Sequence, residues 1–490
     1  MAELEELRAL VHASPVYYQQ YLLDRRRILL NSLEKTLGPV IIEAYTVHRS
    51  GTVDLLETRS KQTVTSILEV YKRHKFPSNI SKLSEMCTTD EITRMVGFHL
   101  FIVTPIARRY TQWALGNLSG EAGVTGIVKP TSKVEEIRTL RALYRFQLCC
   151  NLFGANRHES PRRNPPEFSA LEVLNLCIAL FEPWETEEVC CINTFFKEKY
   201  HHIFLDIVSE INQNDLISDE QRPPTPEGAF RLADQSTWDI YISGIISYGL
   251  PLLHTVFYRI ENRAHLVSTI EEHMKTPPNG FFLEGEWGDV MNDDAHYDRL
   301  REGLSERDRK QNRGDPLPFQ GDEILDPTGT HPPLAWTLMW KGTYSNLFGG
   351  FIDDSLRRWG YVTWDAERIR RAGAEEVLKR QLLLVDGERY FEIEEMGTKD
   401  FTWVNSVRIL ASYPYIISCW FQTGTFRRAD PENAVSKPSF LTKLLGKAGQ
   451  YKRTWNTGNN SCVLAATRKH HSTAAMQRRL CTTKLEAPLN

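Results

Sequence analysis

Residues 132–153, SKVEEIRTLRALYRFQLCCNLF, decide the fold class. Ser132 and Glu135 stand at the spacing where an N-cap hydroxyl accepts from the N3 amide while the N3 carboxylate reaches back to the N-cap amide. Val134, Ile137, Leu140, Tyr144 and Leu148 then recur on one side, which predicts a helix over about 133–153. The same start signal recurs at Thr88-x-x-Glu91 and Ser169-x-x-Glu172. The first opens a helix towards Ile102 that meets Pro105 and resumes to about Gly116. The second opens a helix from Ala170 to about Phe181, apolar almost all round and so expected in the core. Residues 365–383 read as a helix with Ile369, Val377, Leu378 and Leu382 on one face. Alternating patterns are rare, and Glu388–Glu394 is the best strand candidate. The expectation is a mainly α protein: an irregular multi-helix globular body with long loops.

The 490 residues are 41% hydrophobic and 10% aromatic, enough for a substantial core. A net charge of −3 excludes a polyanion-binding signature for the whole chain. The nine cysteines are an odd number without a C-x-x-C pair, and several sit inside apolar runs. That usage fits a reducing compartment, so an intracellular protein, cytoplasmic or nuclear, is expected. Nothing at the start resembles a signal peptide. Ile240–Tyr258 is uncharged over 19 residues but lacks the density of a membrane span; it reads as a buried helix bent at Gly249-Leu250-Pro251.

Composition shifts divide the chain. Residues 1–38 are a helical segment, 39–297 a helical body, and 298–333 a flexible charged linker. Residues 334–436 hold Trp336, Trp340, Trp359, Trp364, Trp403 and Trp420 and read as an aromatic-rich region packed on the body. Residues 437–490 carry ten lysines and arginines against one glutamate, a net +9, and read as a disordered, solvated tail. That tail lacks the aromatic interleaving of a single-strand binder, so no nucleic-acid partner is expected.

Catalytic signatures are scarce. Glu284, Glu286, Asp289, Asp293, Asp294, His296 and Asp298 could hold a hard cation or serve as acid and base. Their spacing is out of register for an EF-hand loop, and a solvated acidic loop is the simpler reading. Cys190-Cys191 and His201-His202 are poor metal ligands because neighbouring helical positions point about 100° apart. Cys190, Ile192, Phe195 and Phe196 read as packing residues. Gly349-Gly350 lacks phosphate-loop spacing and reads as a tight turn between aromatics. His254 reads as a core histidine. No catalytic residue, metal site or cofactor follows from these patterns. The alternative is an enzyme with an unrecognised helical active site around Glu284–Asp298.

The opening stretch reads as two helices. Leu4, Leu7, Leu10 and Val11 recur at helical spacing; Ser14 is a good N-cap and Pro15 suits the first helical position. The next helix carries Tyr17, Tyr18, Tyr21, Leu22, Ile28, Leu29 and Leu33 and stops at Gly38-Pro39. The segment LEELRALVHASPVYYQQYLLDRRRILL resembles the second half of the F-box-like N-terminus of many filamentous-fungal proteins. WKGTYSNLFGGFIDDSLRRW at 340–359 and the run 364–373 are similar to stretches of the same family. That family's Leu-Pro-rich first helix has no counterpart here. The resemblance implies docking to the small helical adaptor of a cullin-type ubiquitin ligase, with the rest of the chain selecting an unknown protein substrate. It implies that Leu7, Leu10, Val11, Pro15, Tyr18, Tyr21 and Leu22 are the adaptor-facing and packing positions. No membrane partner and no cofactor are expected.

Overall fold

A computed structural model describes residues 3–52, 56, 59–74, 87–123, 130–155, 168, 170–213, 235–274, 305–322, 328–349 and 352–384. Helices α1 (Leu4–Ala13), α2 (Pro15–Leu23) and α3 (Arg25–Leu37) lead through a 3-10 turn at Gly38–Val40 into α4 (Ile41–Ser50). Next come α5 (Lys61–His74), α6 (Thr89–Phe98) and α7 (Thr104–Ala122), the last two joined by a π-helical turn at His99–Val103. The centre holds α8 (Lys133–Phe153), α9 (Ala170–Leu176) and α10 (Pro183–Gln213). Helices α11 (Gln235–Ile246), α12 (Leu250–Tyr258) and α13 (Arg263–His273) follow. The last are α14 (Glu306–Arg313), α15 (Leu334–Met339), α16 (Asp354–Arg358), α17 (Ala366–Arg371) and α18 (Ala374–Leu384). The fold is mainly α; among the described residues there is no strand, only an isolated bridge between Pro316 and Thr343.

Two of the helix starts read from sequence are realised in atomic detail. Thr88 Oγ1 accepts from the Glu91 amide at 3.3 Å and Glu91 Oε2 accepts from the Thr88 amide at 2.8 Å. The Ser132–Glu135 box closes with the corresponding bonds at 3.3 and 2.9 Å. Ser169 lies outside the described residues. α8 buries the expected Val134, Ile137, Leu140, Tyr144 and Leu148, and packs chiefly on α4 and α10.

Several boundaries differ from expectation, each for a local reason. The second helix of the opening stretch is two, because Asp24 leaves helical geometry (φ −141°, ψ 42°) and pairs with Arg27 at 2.5 Å. Pro105 does not interrupt its helix. The Thr104 amide bonds the carbonyl of His99, five residues back, and the wider π turn carries the chain past a proline that lacks an N–H. The helix then runs to Ala122. α9 stops at Leu176 and tightens into a 3-10 turn at Ile178–Leu180, short of Phe181. The uncharged 240–258 run is broken, with Gly249 at φ +80° between α11 and α12. No helix among the described residues is long and apolar enough to cross a membrane. The 365–383 helix is likewise split at Gly373 (φ +64°) into α17 and α18.

Where it is described, the stretch read as a flexible linker is packed. Ser305 caps α14, and Asp308 is buried and accepts from Asn346 Nδ2 at 2.8 Å. The Pro316–Thr343 bridge ties the same stretch to the segment after α15. Trp336, Trp340, Trp359 and Trp364 are core residues, whereas Trp403, Trp420, the Glu388–Glu394 strand candidate and the basic tail lie outside the described residues. Cys190, Cys191, Ile192, Phe195 and Phe196 are buried packing residues, as read. His201 instead leans on the Trp238 ring at 5.7 Å, and the His202 side chain is largely exposed.

Candidate functional site

Seven positions at the start of the chain carry the expected docking role, and the structure divides them. α1 is anchored from below. Leu4 and Leu7 are buried, and the Leu4 amide donates to Thr36 Oγ1 on α3 at 2.9 Å. Val11 and Tyr21 are partly buried against the core. Tyr21 Oη also accepts from Arg25 Nε at 3.1 Å. Leu7, Val11 and Tyr21 are therefore packing positions. Leu10, Pro15, Tyr18 and Leu22 point out, with Leu10 43%, Tyr18 46% and Leu22 43% exposed.

Val16 (73%) and Leu23 (79%) escaped the sequence reading, and Tyr17 (50%), read there as a stripe position, is exposed as well. α2 thus contains seven apolar or aromatic residues in nine and fully buries none of them. Scattered apolar residues on a surface need no explanation, but a contiguous set on one short helix does. Burying a Leu or Val side chain is worth about 1.5–3 kcal/mol, and an aromatic ring removes about 150–250 Å² from water. Ser14 holds the turn between α1 and α2 by accepting from the Val16 amide at 3.3 Å, as read. Cations rim the face: Arg25 donates to Thr93 Oγ1 at 3.2 Å, Arg26 to the Cys87 carbonyl at 3.0 Å, and Arg27 is largely exposed.

Elsewhere in the core the helices are fixed by a buried ionic spine that sequence reasoning missed. Arg138, Arg141 and Arg145 form one stripe of α8, and each is at most 2% exposed. Arg145 Nη2 lies 2.9 Å from Glu185 Oε1 on α10 and 3.3 Å from Glu43 Oε1 on α4. Arg141 Nε lies 3.8 Å from the same Glu43 oxygen, and its Nη1 donates to the Gly329 carbonyl at 2.6 Å. Arg138 pairs with Asp322 at 3.0 Å and bonds the Trp364 carbonyl at 3.3 Å. Two bidentate pairs hold the later helices. Arg357 grips Glu187 with both bonds at 3.0 Å, and Arg368 grips Glu135 with both at 2.7 Å.

Glu188 is the odd member. Neither carboxyl oxygen has a hydrogen-bond partner, and Arg138 Nε stands 3.9 Å away. Burial pushes its pKa up to about 8 against the pull of Arg141 and Arg138, so it is mostly protonated at neutral pH. A raised carboxyl can serve as a general acid, but Glu188 is only 1% exposed and lines neither cavity described below. Its role is within the packed core.

Glu284, Glu286, Asp289, Asp293, Asp294, His296 and Asp298, on which the enzyme alternative rests, lie outside the described residues. Of the residues weighed for other chemistry, Gly349 is a turn (φ +66°) whose amide donates to Glu187 at 2.7 Å. His254, midway along α12, is half-buried and stacks on Tyr258 at 5.0 Å, so it is not a core residue. The chain matches no protein-family model, no curated protein and no solved structure.

Proposed function

We propose that this chain is a non-catalytic interaction protein that docks a partner through the outward face of α1 and α2. The carrying observation is that α2, apolar at seven of nine positions, has no fully buried residue and packs only Tyr21 partly inward, while α1 beside it is pinned to the core. The partner supported by the F-box-like resemblance is the small helical adaptor of a cullin-type ubiquitin ligase, with the remaining helical body presenting a protein substrate. Arg25, Arg26 and Arg27 beside the apolar face favour a partner with an acidic rim, which would speed and orient encounter. The anchors are Leu10, Val16, Tyr17, Tyr18, Leu22 and Leu23; Leu7, Val11 and Tyr21 hold the face in place. An intracellular location follows from the same reading.

Co-purification of the full chain with the purified adaptor tests this. Leu10→Asp with Leu22→Asp places two charges on exposed positions, so the variant keeps its helicity and thermal midpoint while binding falls by roughly a hundredfold or more. Absence of binding by the wild-type chain, or unchanged binding by that folded variant, would refute the proposal.

A further inference from the structure

A cavity of about 350 Å³ lies between α4, α6, α8 and α12, and none of its lining residues belongs to α1 or α2. Met95, Phe98 and Leu252 give it apolar walls. Its floor is built from two amides that satisfy each other. Gln147 accepts from the Leu250 amide at 2.7 Å and donates to Asn151 Oδ1 at 2.7 Å, while Asn151 donates to the Val47 carbonyl at 3.1 Å. That lock fixes the relative positions of α4, α8 and the Gly249 corner, so the cavity is preformed.

Its remaining polar group of note is a cation. Arg94 makes no hydrogen bond or ion pair among the described residues, and it lines both this cavity and an adjoining recess that shares Phe98 and Pro251. Arg259 and His254 border that recess. Glu91, three residues before Arg94 on the same helix, is already engaged by its helix cap and by Arg49 at 3.4 Å. His48, also in the wall, is held below its usual pKa mainly by burial, so it offers a neutral ring at pH 7. The π turn at His99–Val103 sets Phe101 and Ile102 along the recess, and such turns recur at binding sites.

An apolar chamber of this size with one uncommitted guanidinium at its edge suits an anion with an apolar body. A planar carboxylate matches the guanidinium fork in charge and shape. We infer that this cavity binds a small carboxylic acid with an aromatic or aliphatic body, its carboxylate on Arg94 and its body against Met95, Phe98 and Leu252. The site shares no lining residue with the α1–α2 face and does not depend on the docking proposal.

Isothermal titration of the full chain with 1-naphthoate, and with the neutral 1-naphthalenemethanol, tests it. A single saturable site for 1-naphthoate is expected, with the alcohol weaker by roughly tenfold or more, the scale of a charge-assisted hydrogen bond. Arg94→Gln, an exposed position, should keep the melting midpoint, weaken 1-naphthoate by a similar factor and leave the alcohol unchanged. Arg309→Gln, which removes the same charge from exposed α14, should change neither. The inference is overturned by absence of saturable 1-naphthoate binding, by equal affinity for the two probes, or by equal effects of the two substitutions. A wild-type chain that fails to bind the adaptor but shows this pattern would sink the docking reading alone.

Discussion

Replacing Glu188 by Gln should remove a pH dependence of stability built into the core. The folded chain holds Glu188 at a pKa of about 8, pushed up by burial, against an ordinary value of 4.5. A carboxyl whose folded pKa is raised binds more protons folded than unfolded between those two values. Its contribution is therefore fully present below about pH 4.5 and is lost as pH rises through about 8. Each pH unit in that window is worth about 1.36 kcal/mol, so from about pH 6.5 to about pH 8 the wild type loses on the order of 2 kcal/mol through this group. Glutamine has nearly the same shape and cannot ionise, so it stands in for the protonated carboxyl at every pH in the window. The variant should match the wild type near pH 6.5 and exceed it by on the order of 2 kcal/mol near pH 8. Urea unfolding of both proteins across this range measures it, and the difference between the two curves cancels every other titrating group. Parallel curves, or a variant less stable at pH 8, would refute the assignment of a protonated Glu188.

Two further outcomes follow from the same spine and its neighbours. Arg357→Met should destabilise by about 3–5 kcal/mol, because it strands the fully buried Glu187 carboxylate, while Lys379→Ala at an exposed pair should leave the unfolding midpoint unchanged in the same denaturation series. Gly249→Ala should cost on the order of 1–3 kcal/mol and lower the thermal midpoint, since φ is +80° there and a Cβ would stand 2.6 Å from Gln147 Oε1; a neutral outcome would mean that the corner rebuilds freely.

Much of the helix inventory was legible because its signals are local. A hydroxyl and a carboxylate three residues apart at Thr88 and Ser132 can only satisfy amides in one geometry, and both boxes form. Ser14-Pro15 is legible for the same reason. The breaks at Asp24 and Gly373 were not, since apolar periodicity passes straight through both and each turn depends on where the next helix must pack. Pro105 misled in the opposite direction, because a π turn gives proline a place inside a continuous path. At the candidate site, Leu10, Tyr18 and Leu22 were legible as apolar helix positions, but nothing in their spacing separates a face that packs inward, such as Leu7, from one that remains uncovered.

The arginines of α8 show the limit most plainly. Arg138, Arg141 and Arg145 run along one edge of the apolar stripe, where in isolation long cationic side chains are expected to reach out to water. They are buried because Glu43, Glu185 and Asp322, from three distant parts of the chain, arrive to neutralise or bond them. Sequence alone determined that this protein is helical and where many helices begin, since capping and periodicity involve neighbours within a few residues. Only the tertiary structure decided which charges go inside, which apolar helix stays outside, and where a cavity opens. Burial is a property of what packs against a residue, and those partners lie tens to hundreds of positions away.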